Sequence, residues 1–370
     1  MRDLTIADVQ VRRVAIPYLR PFVISRGATA VLETLVVTVH TADGLFGVGE
    51  VNPMTAYSGE TASGIEEAIL RYLASAVIGH PAEEIAGLHA RMDAVLRGNG
   101  LAKAAIDIAV HDLVGRAWGV PVSSLLGGAL RDRIPLAWVV GMGPLDEMVQ
   151  EAAHYASLGF PTIKVKIGRD PETDLALVAA VREAIGPRVA LRVDANEGYD
   201  TVTALRTLRK MERYDLELVE QPLARYDLQG MMMLTQALDT PVMADESLQT
   251  VADALEIVRR GAADVLNIKI VKPGGLYRSR QVAALAEAAG LHCMVGSMPE
   301  LGVATIAGAH FAASTPSVTY PCEVLGPLMT EEDILEDPVI SVQTAPGYLR
   351  VPTGPGLGVV VKELRIGGPV

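Results

Sequence analysis

The sequence predicts an α/β protein: a (β/α) barrel of modified TIM type, with a small α+β capping domain before it. Three observations carry that prediction. The first part of the chain reads as strands followed by helices. From about residue 133, short apolar runs alternate with helices of roughly three turns. Ionisable residues then recur at the ends of those runs, one β/α unit apart.

The capping domain is expected over residues 1–130. Thr5 to Pro17 alternates in strand fashion and Glu33 to His40 is a second strand. Asp43-Gly44 is a hairpin-type turn, from which Phe46 to Val51 returns as a third strand. Helical stretches follow at Thr61–Ile78, Ala82–Leu96 and Gly100–Trp118, and Pro121 closes the last. The barrel is expected over 131–330. Its strand-like runs are Ile134–Val140, Thr162–Ile167, Val189–Asp194, Leu216–Glu220, Val242–Asp245, Val265–Ile270, His292–Gly296 and Val318–Val324. Most are nearly continuous in Val, Ile, Leu or Met, as strands buried on both faces require. Eight alternations over about two hundred residues suit a closed barrel. A doubly wound open sheet is the rival; it would more often carry a Gly-rich phosphate turn after its first strand, and the sequence has none there. Residues 331–370 are rich in Pro and Gly, end in a strand-like Gly358–Leu364, and are expected to return to the capping domain.

Bulk properties narrow the function. The 370 residues carry a formal net charge of −12, which argues against non-specific nucleic-acid binding, because phosphates need clustered Lys and Arg. No apolar run reaches membrane-spanning length, and Met1-Arg2-Asp3-Leu4 has no signal-peptide core. Cys293 and Cys322 lie far apart in no CxxC pattern, so a reduced, cytoplasmic protein is expected.

The ends of the apolar runs carry the chemistry. They read Lys164-Val-Lys166, Asp194-Ala-Asn196, Glu220-Gln-Pro, Asp245-Glu246-Ser and Asn267-Ile-Lys269. From Lys166, the steps to Asp194, Glu220, Asp245 and Lys269 are 28, 26, 25 and 24 residues. Equivalent positions at strand C-termini converge on one barrel mouth. Three acids side by side repel one another. A hard divalent cation resolves that conflict, and an all-oxygen set suits Mg²⁺. Lys166 and Lys269 flank the acids and are positioned to move a proton next to a carboxylate. Any one of these residues alone has an ordinary structural reading as a surface charge or helix cap; the shared spacing sets the group apart.

These motifs resemble those of the enolase superfamily, in the muconate lactonizing enzyme subgroup. The resemblance rests on Lys164-x-Lys166, Asp194-x-Asn196, Glu220-Gln-Pro, Asp245-Glu-Ser and Lys269-Ile-Val-Lys-Pro-Gly-Gly. It extends to Ala104-Ala-Ile-Asp-Ile-Ala109 and Leu125-Leu-Gly-Gly128 in the capping domain. The resemblance implies that Asp194, Glu220 and Asp245 bind Mg²⁺, with Mn²⁺ as an alternative, and that Lys166 and Lys269 are the acid/base pair. It implies that Lys164 stabilises the substrate carboxylate and that Asn196 and Glu246 support the metal. It also implies that loops near 17–29 and 50–60 select a small carboxylate substrate, and that the protein is a homo-oligomer. Candidate substrate contacts are Arg20, Arg26 and Tyr57, with Glu300 and Glu323 from the barrel end.

The subgroup contains cycloisomerases, racemases and epimerases that share an enolate step. Gly296-Ser-Met-Pro-Glu300 resembles its seventh-strand motif, with Pro299 where Leu is more usual. Cys322-Glu-Val-Leu-Gly-Pro-Leu328 resembles the corresponding segment of muconate cycloisomerases, and lacks the Asp-x-Asp typical of dipeptide epimerases. Muconate-type cycloisomerisation is therefore the first expectation. Racemisation or epimerisation of an amino-acid derivative is the second, because both lysines are present. A barrel that binds a carboxylate without turning it over is the third.

Overall fold

The structure is a computed structural model and describes residues 2–24, 27–340 and 346–362. Three antiparallel strands open the chain: β1 (Ile6–Ile24), β2 (Gly27–Thr41) and β3 (Phe46–Val51). The Asp43-Gly44 turn joins β2 and β3, with Gly44 at φ +86°. The segment expected as a loop near 17–29 is mostly strand. β1 and β2 resume pairing at Phe22↔Thr29, after a register shift that follows Pro17. Proline cannot donate to the ladder, so the irregularity falls there and pairing continues beyond it.

Helices α1 (Thr55–Ser58), α2 (Ala62–Glu67), a π-helical turn over Ala68–Leu73, α3 (Ala74–Val77) and α4 (Ile85–Val95) lead to α5 (Gly100–Trp118). Residues 101–115 of α5 are all buried. Small residues make this possible. A Cβ on Gly47 or Gly49 would fall 2.1 or 2.0 Å from the carbonyl oxygens of Ala109 and Ala105, so the helix lies directly on β3.

After α6 (Val122–Leu125) and the short β4 (Arg133–Pro135) the barrel begins. Its parallel strands are β5 (Ala137–Val140), β6 (Thr162–Lys166), β7 (Ala190–Asp194), β8 (Leu216–Glu220), β9 (Val242–Ala244), β10 (Val265–Asn267) and β11 (His292–Met294), hydrogen-bonded in that order. Between and after them run α7 (Leu145–Ser157), α8 (Pro171–Ile185), α9 (Thr201–Met211), α10 (Leu228–Ala237), α11 (Val251–Arg260), α12 (Leu276–Ala288) and α13 (Gly302–Ser314). The eighth expected strand is an extended segment held by single bridges. It pairs with β11 at Cys293↔Val318 and with the residue before β5 at Leu136↔Cys322, and so closes the ring. The tail forms β12 (Tyr348–Arg350) against β4. The described part of the expected strand at 358–364 is not one: only Val361 pairs, in a single bridge to Leu335. With Gly358 at φ +70° the chain turns there instead of extending. Just before it, Leu357 N donates to Asp112 Oδ1 of α5 at 2.7 Å and Val122 N to Gly356 O at 2.8 Å. Among the described residues, no helix is long and apolar enough to cross a membrane.

Candidate active site

Strand alternation decides which side chains meet at the mouth. Successive residues face opposite sides, so a residue and the one two before it share a face. Leu218, Met243 and Val265 thus form the layer below Glu220, Asp245 and Asn267, and pack with Met294 as their own cluster. Wholly buried in the same layer is Arg192, bonded to Glu217, to Met294 Sδ and to the Pro321 carbonyl. Register sets Lys164 beside Arg192, Lys166 beside Asp194, and Asp194 beside Glu220.

Most of the expected residues converge. Lys166 Nζ donates to Asp194 Oδ2 at 2.6 Å and to Asn196 Oδ1 at 2.8 Å. Lys164 Nζ lies 2.9 Å from Glu220 Oε2, 2.5 Å from Glu323 Oε2 and 3.2 Å from Asp194 Oδ2. Asn196 Nδ2 donates to Glu246 Oε1 at 2.9 Å. Lys269, just beyond β10, lies 2.9 Å from Asp245 Oδ2. It stands four strands from Lys166 in a ring of eight, on the far wall. From the capping domain, Tyr57 Oη donates to Asp245 Oδ1 at 2.9 Å, and its ring centre is 4.2 Å from Lys269 Nζ.

These groups surround a cavity lined by Lys164, Lys166, Asp194, Asn196, Glu246, Lys269, Ser297 and Glu323 on its polar side. Met54, Tyr57, Val139, Pro299, Leu325 and Met329 line the rest. Arg20 is exposed on β1 and is not among the lining residues. Glu300 is buried, also outside the lining, and burial followed by Glu50 pushes its carboxyl well above the usual range. Arg26 lies outside the described residues.

The electrostatics show a site crowded with acid. Burial, then Asp194, pushes Glu220 up to about 8. Burial, then Asp245 and Asp194, pushes Glu246 up to about 7. Burial also acts to raise Asp194 and Asp245, but the adjacent lysines outweigh it and hold both below the usual carboxylate range. For Lys164 and Lys269 burial favours the neutral amine; the facing carboxylates win and raise both.

Two organising residues were not assigned a role from sequence. Gln221, at φ +32°, accepts from Asp245 N and Ser247 N and donates to Leu223 O and Ser247 Oγ, so its amide fixes the end of β9. A non-glycine residue held there stores about 1–3 kcal/mol of strain. Lys272 donates to Asp245 Oδ1 at 2.8 Å and to its carbonyl at 2.7 Å. The Lys-x-x-Lys spacing was the only sign of it in the sequence.

Asp194, Glu220 and Asp245 come from three adjacent strands and offer only oxygen, the donor set of a hard divalent cation. Glu246 Oε2 is buried without a hydrogen-bond partner, and the upward push on Glu220 marks the same shortage of positive charge. The donor chemistry thus fits a metal. Among the described residues, no three His, Cys, Asp or Glu side chains are drawn close enough to share one ion; the carboxylate oxygens are paired with lysines.

Comparison with known proteins places this geometry in a family. A model described as "Mandelate racemase / muconate lactonizing enzyme, N-terminal domain" matches residues 6–127, and one described as "Enolase C-terminal domain-like" matches 147–365. Muconate cycloisomerase 1 of Rhodococcus opacus is 37% identical over 97% of this chain and 96% of its own. The L-Ala-D/L-Glu epimerase of Bacillus subtilis is 36% identical over 98% of this chain and 99% of its own. The dipeptide epimerase of Enterococcus faecalis V583, solved with Mg and the dipeptide L-Leu-L-Tyr, superposes with a TM-score of 0.92 at 35% identity, covering 96% of this chain and 99% of that one. Cycloisomerase and epimerase relatives are thus almost equally similar to it. The chain belongs to the mandelate racemase / muconate lactonizing enzyme family of the enolase superfamily, and it is an isomerase.

Proposed function

We propose that this site racemises or epimerises the α-carbon of an N-acylated amino acid, with Lys166 and Lys269 as the two proton-transfer groups. The observation that supports this most is their placement on opposite walls of one cavity, each beside its own carboxylate. One neutral amine removes the α-proton, the opposite ammonium returns one, and the centre inverts. Lys164 balances the negative charge that builds on the substrate carboxylate. Asp194, Glu220 and Asp245 would hold Mg²⁺, or Mn²⁺ in its place. The cation would supply Lewis-acid stabilisation of that same charge.

The nature of the remaining wall supports an acylated amine. Glu323 gives one carboxylate oxygen to Lys164, and the apolar part of the lining is Met54, Tyr57, Val139, Pro299, Leu325 and Met329, which suits an acyl group. Muconate-type cycloisomerisation is the second reading, favoured by the Cys322–Leu328 segment, whose Glu323 and Leu325 line the cavity. Against it, among the described residues no cation other than the three lysines lines the cavity to hold a second carboxylate.

The test is a screen in D₂O with Mg²⁺, read by NMR, of N-succinyl-phenylalanine enantiomers, L-Ala-L-Leu and cis,cis-muconate. The proposal expects loss of the α-proton signal from both N-succinyl enantiomers. Loss of muconate absorbance without α-exchange would move the assignment to the second reading. If Lys166→Ala left every measured activity intact, proton transfer itself would be wrong.

A further inference from the structure

The two lysines are not held in the same way. Both partners of Lys166, Asp194 and Asn196, come from the end of β7 in the barrel. Lys269 has one barrel partner, Asp245, and one from the cap: its ammonium sits 4.2 Å from the centre of the Tyr57 ring. A cation over an aromatic face is attracted by the ring quadrupole, more strongly where both are desolvated. The same tyrosine donates its hydroxyl to Asp245 Oδ1, the oxygen that Lys272 also binds. One cap side chain therefore restrains both Lys269 and its counter-ion.

Tyr57 is placed by a short strap anchored to the barrel. At its start, Glu50 of β3 accepts from Leu301 N at 2.7 Å and Ala304 N at 3.0 Å, at the beginning of α13. Asn52 donates through Nδ2 to the Pro299 carbonyl and accepts at Oδ1 from Met54 N at 2.8 Å. Met54, in the left-handed region at φ +38°, then starts the one-turn helix α1 that carries Tyr57 inward.

The geometry points to Tyr57 as a positioning residue through which the seating of the cap sets Lys269 and leaves Lys166 untouched. It rests on the two-lysine reading above and adds to it a separate control of one face of the reaction. When the strap is seated, Lys269 is fixed against Asp245. When the strap is displaced, that lysine loses its cap partner and keeps only Asp245, while Lys166 keeps both partners.

The first test needs no substrate. Reductive methylation by formaldehyde and cyanoborohydride, read by peptide mass spectrometry, compares Lys269 and Lys166 in the wild type, Tyr57→Phe, Tyr57→Leu and Asn52→Ala. Lys269 labelling should rise at least fivefold in Tyr57→Leu and Asn52→Ala, and less in Tyr57→Phe, which keeps the ring. Lys166 should stay within twofold. Equal changes at both lysines, or none at either, overturn the inference. If Tyr57→Leu does not fold, the other two variants decide.

The second test is α-proton exchange in D₂O from N-succinyl-L-phenylalanine and its D-enantiomer with Mg²⁺. Exchange from one enantiomer should fall more than tenfold in Tyr57→Leu, and from the other less than threefold. Equal losses indicate a merely structural role and overturn the inference. If labelling separates the lysines but the wild type exchanges neither enantiomer, the inference stands and the substrate assignment fails.

Discussion

At two places the cap grips the barrel by a carboxylate at the start of a barrel helix, and the two are electrostatic opposites. At the first, Asp107 of α5 accepts from Leu276 N at 2.6 Å, at the start of α12. It also meets His89 at 2.8 Å and His111 at 3.3 Å. Burial works to raise it, but the two histidines outweigh that and hold it well below the usual carboxylate range. Gly275 is required there: a Cβ would lie 2.3 Å from Asp107 Oδ2. At the second, Glu50 grips α13, and its hydrogen-bond partners among the described residues are Thr34, Leu301 N and Ala304 N, none of them a cation. Burial pushes it up to about 7 despite its two backbone donors, and Asp333 adds to the push. The same architectural device is thus built once to stay ionised and once to titrate near neutrality. The second is the one that leads to Tyr57 and Lys269.

The largest effect should come from the lysines of the mouth. Lys166→Ala and Lys269→Ala should each lower α-proton exchange from one enantiomer by about 10²–10⁴-fold, the usual contribution of a positioned acid or base. Circular dichroism should show both still folded.

Breaking the Asp107 seam should do the reverse. Asp107→Ala removes the carboxylate that His89 and the first N–H of α12 bond, while His111 keeps its bond to the residue 107 carbonyl, and should cost about 3–5 kcal/mol in urea unfolding. Exchange per folded molecule should stay within twofold. A fall in activity without loss of stability would show that the Asp107 seam also governs the reaction.

The pH response should separate the seams further. Glu50 has a folded value of about 7, above its ordinary 4.5, so the folded chain binds more protons than the unfolded one between those limits. Its contribution is complete below about pH 4.5 and is lost as pH rises through about 7, by roughly 3 kcal/mol at most. Asp107 has the opposite sign: its contribution is present above its ordinary 3.8 and is lost as pH falls through its depressed folded value. Amide hydrogen exchange, corrected for its intrinsic pH dependence, should therefore show protection at Leu301 and Ala304 falling between about pH 4.5 and 7 and levelling off above it, with Leu276 unchanged.

The smallest effect should be at Arg20. It is exposed and outside the cavity lining, so Arg20→Ala should change KM and kcat by less than twofold.

How much of this was legible beforehand follows from the range of the interactions. The acids and lysines of the mouth could be found because strand period and barrel repeat place equivalent positions together without any long-range information. The eighth strand was visible as an apolar run, yet it pairs through single bridges only, which no local pattern distinguishes from a full ladder. Gly358–Leu364 misled because valines favour strands, while the turning glycine at its head decided the outcome. Gln221 and Lys272 act on Asp245 across a loop, and Asn52 on Pro299 across the cap–barrel boundary; such partners exist only in the folded chain. Arg20 was a plausible anion contact by residue type, but its strand keeps it in solvent.

The most direct test of the central claim is enantiomer-resolved exchange of N-succinyl-phenylalanine in D₂O with Mg²⁺, comparing Lys166→Ala with Lys269→Ala. Two opposed lysines predict mirror-image losses: each variant should lose abstraction from one enantiomer and retain measurable exchange from the other. Equal losses from both enantiomers in both variants, against a wild type that exchanges both, would contradict the assignment of one lysine to each face.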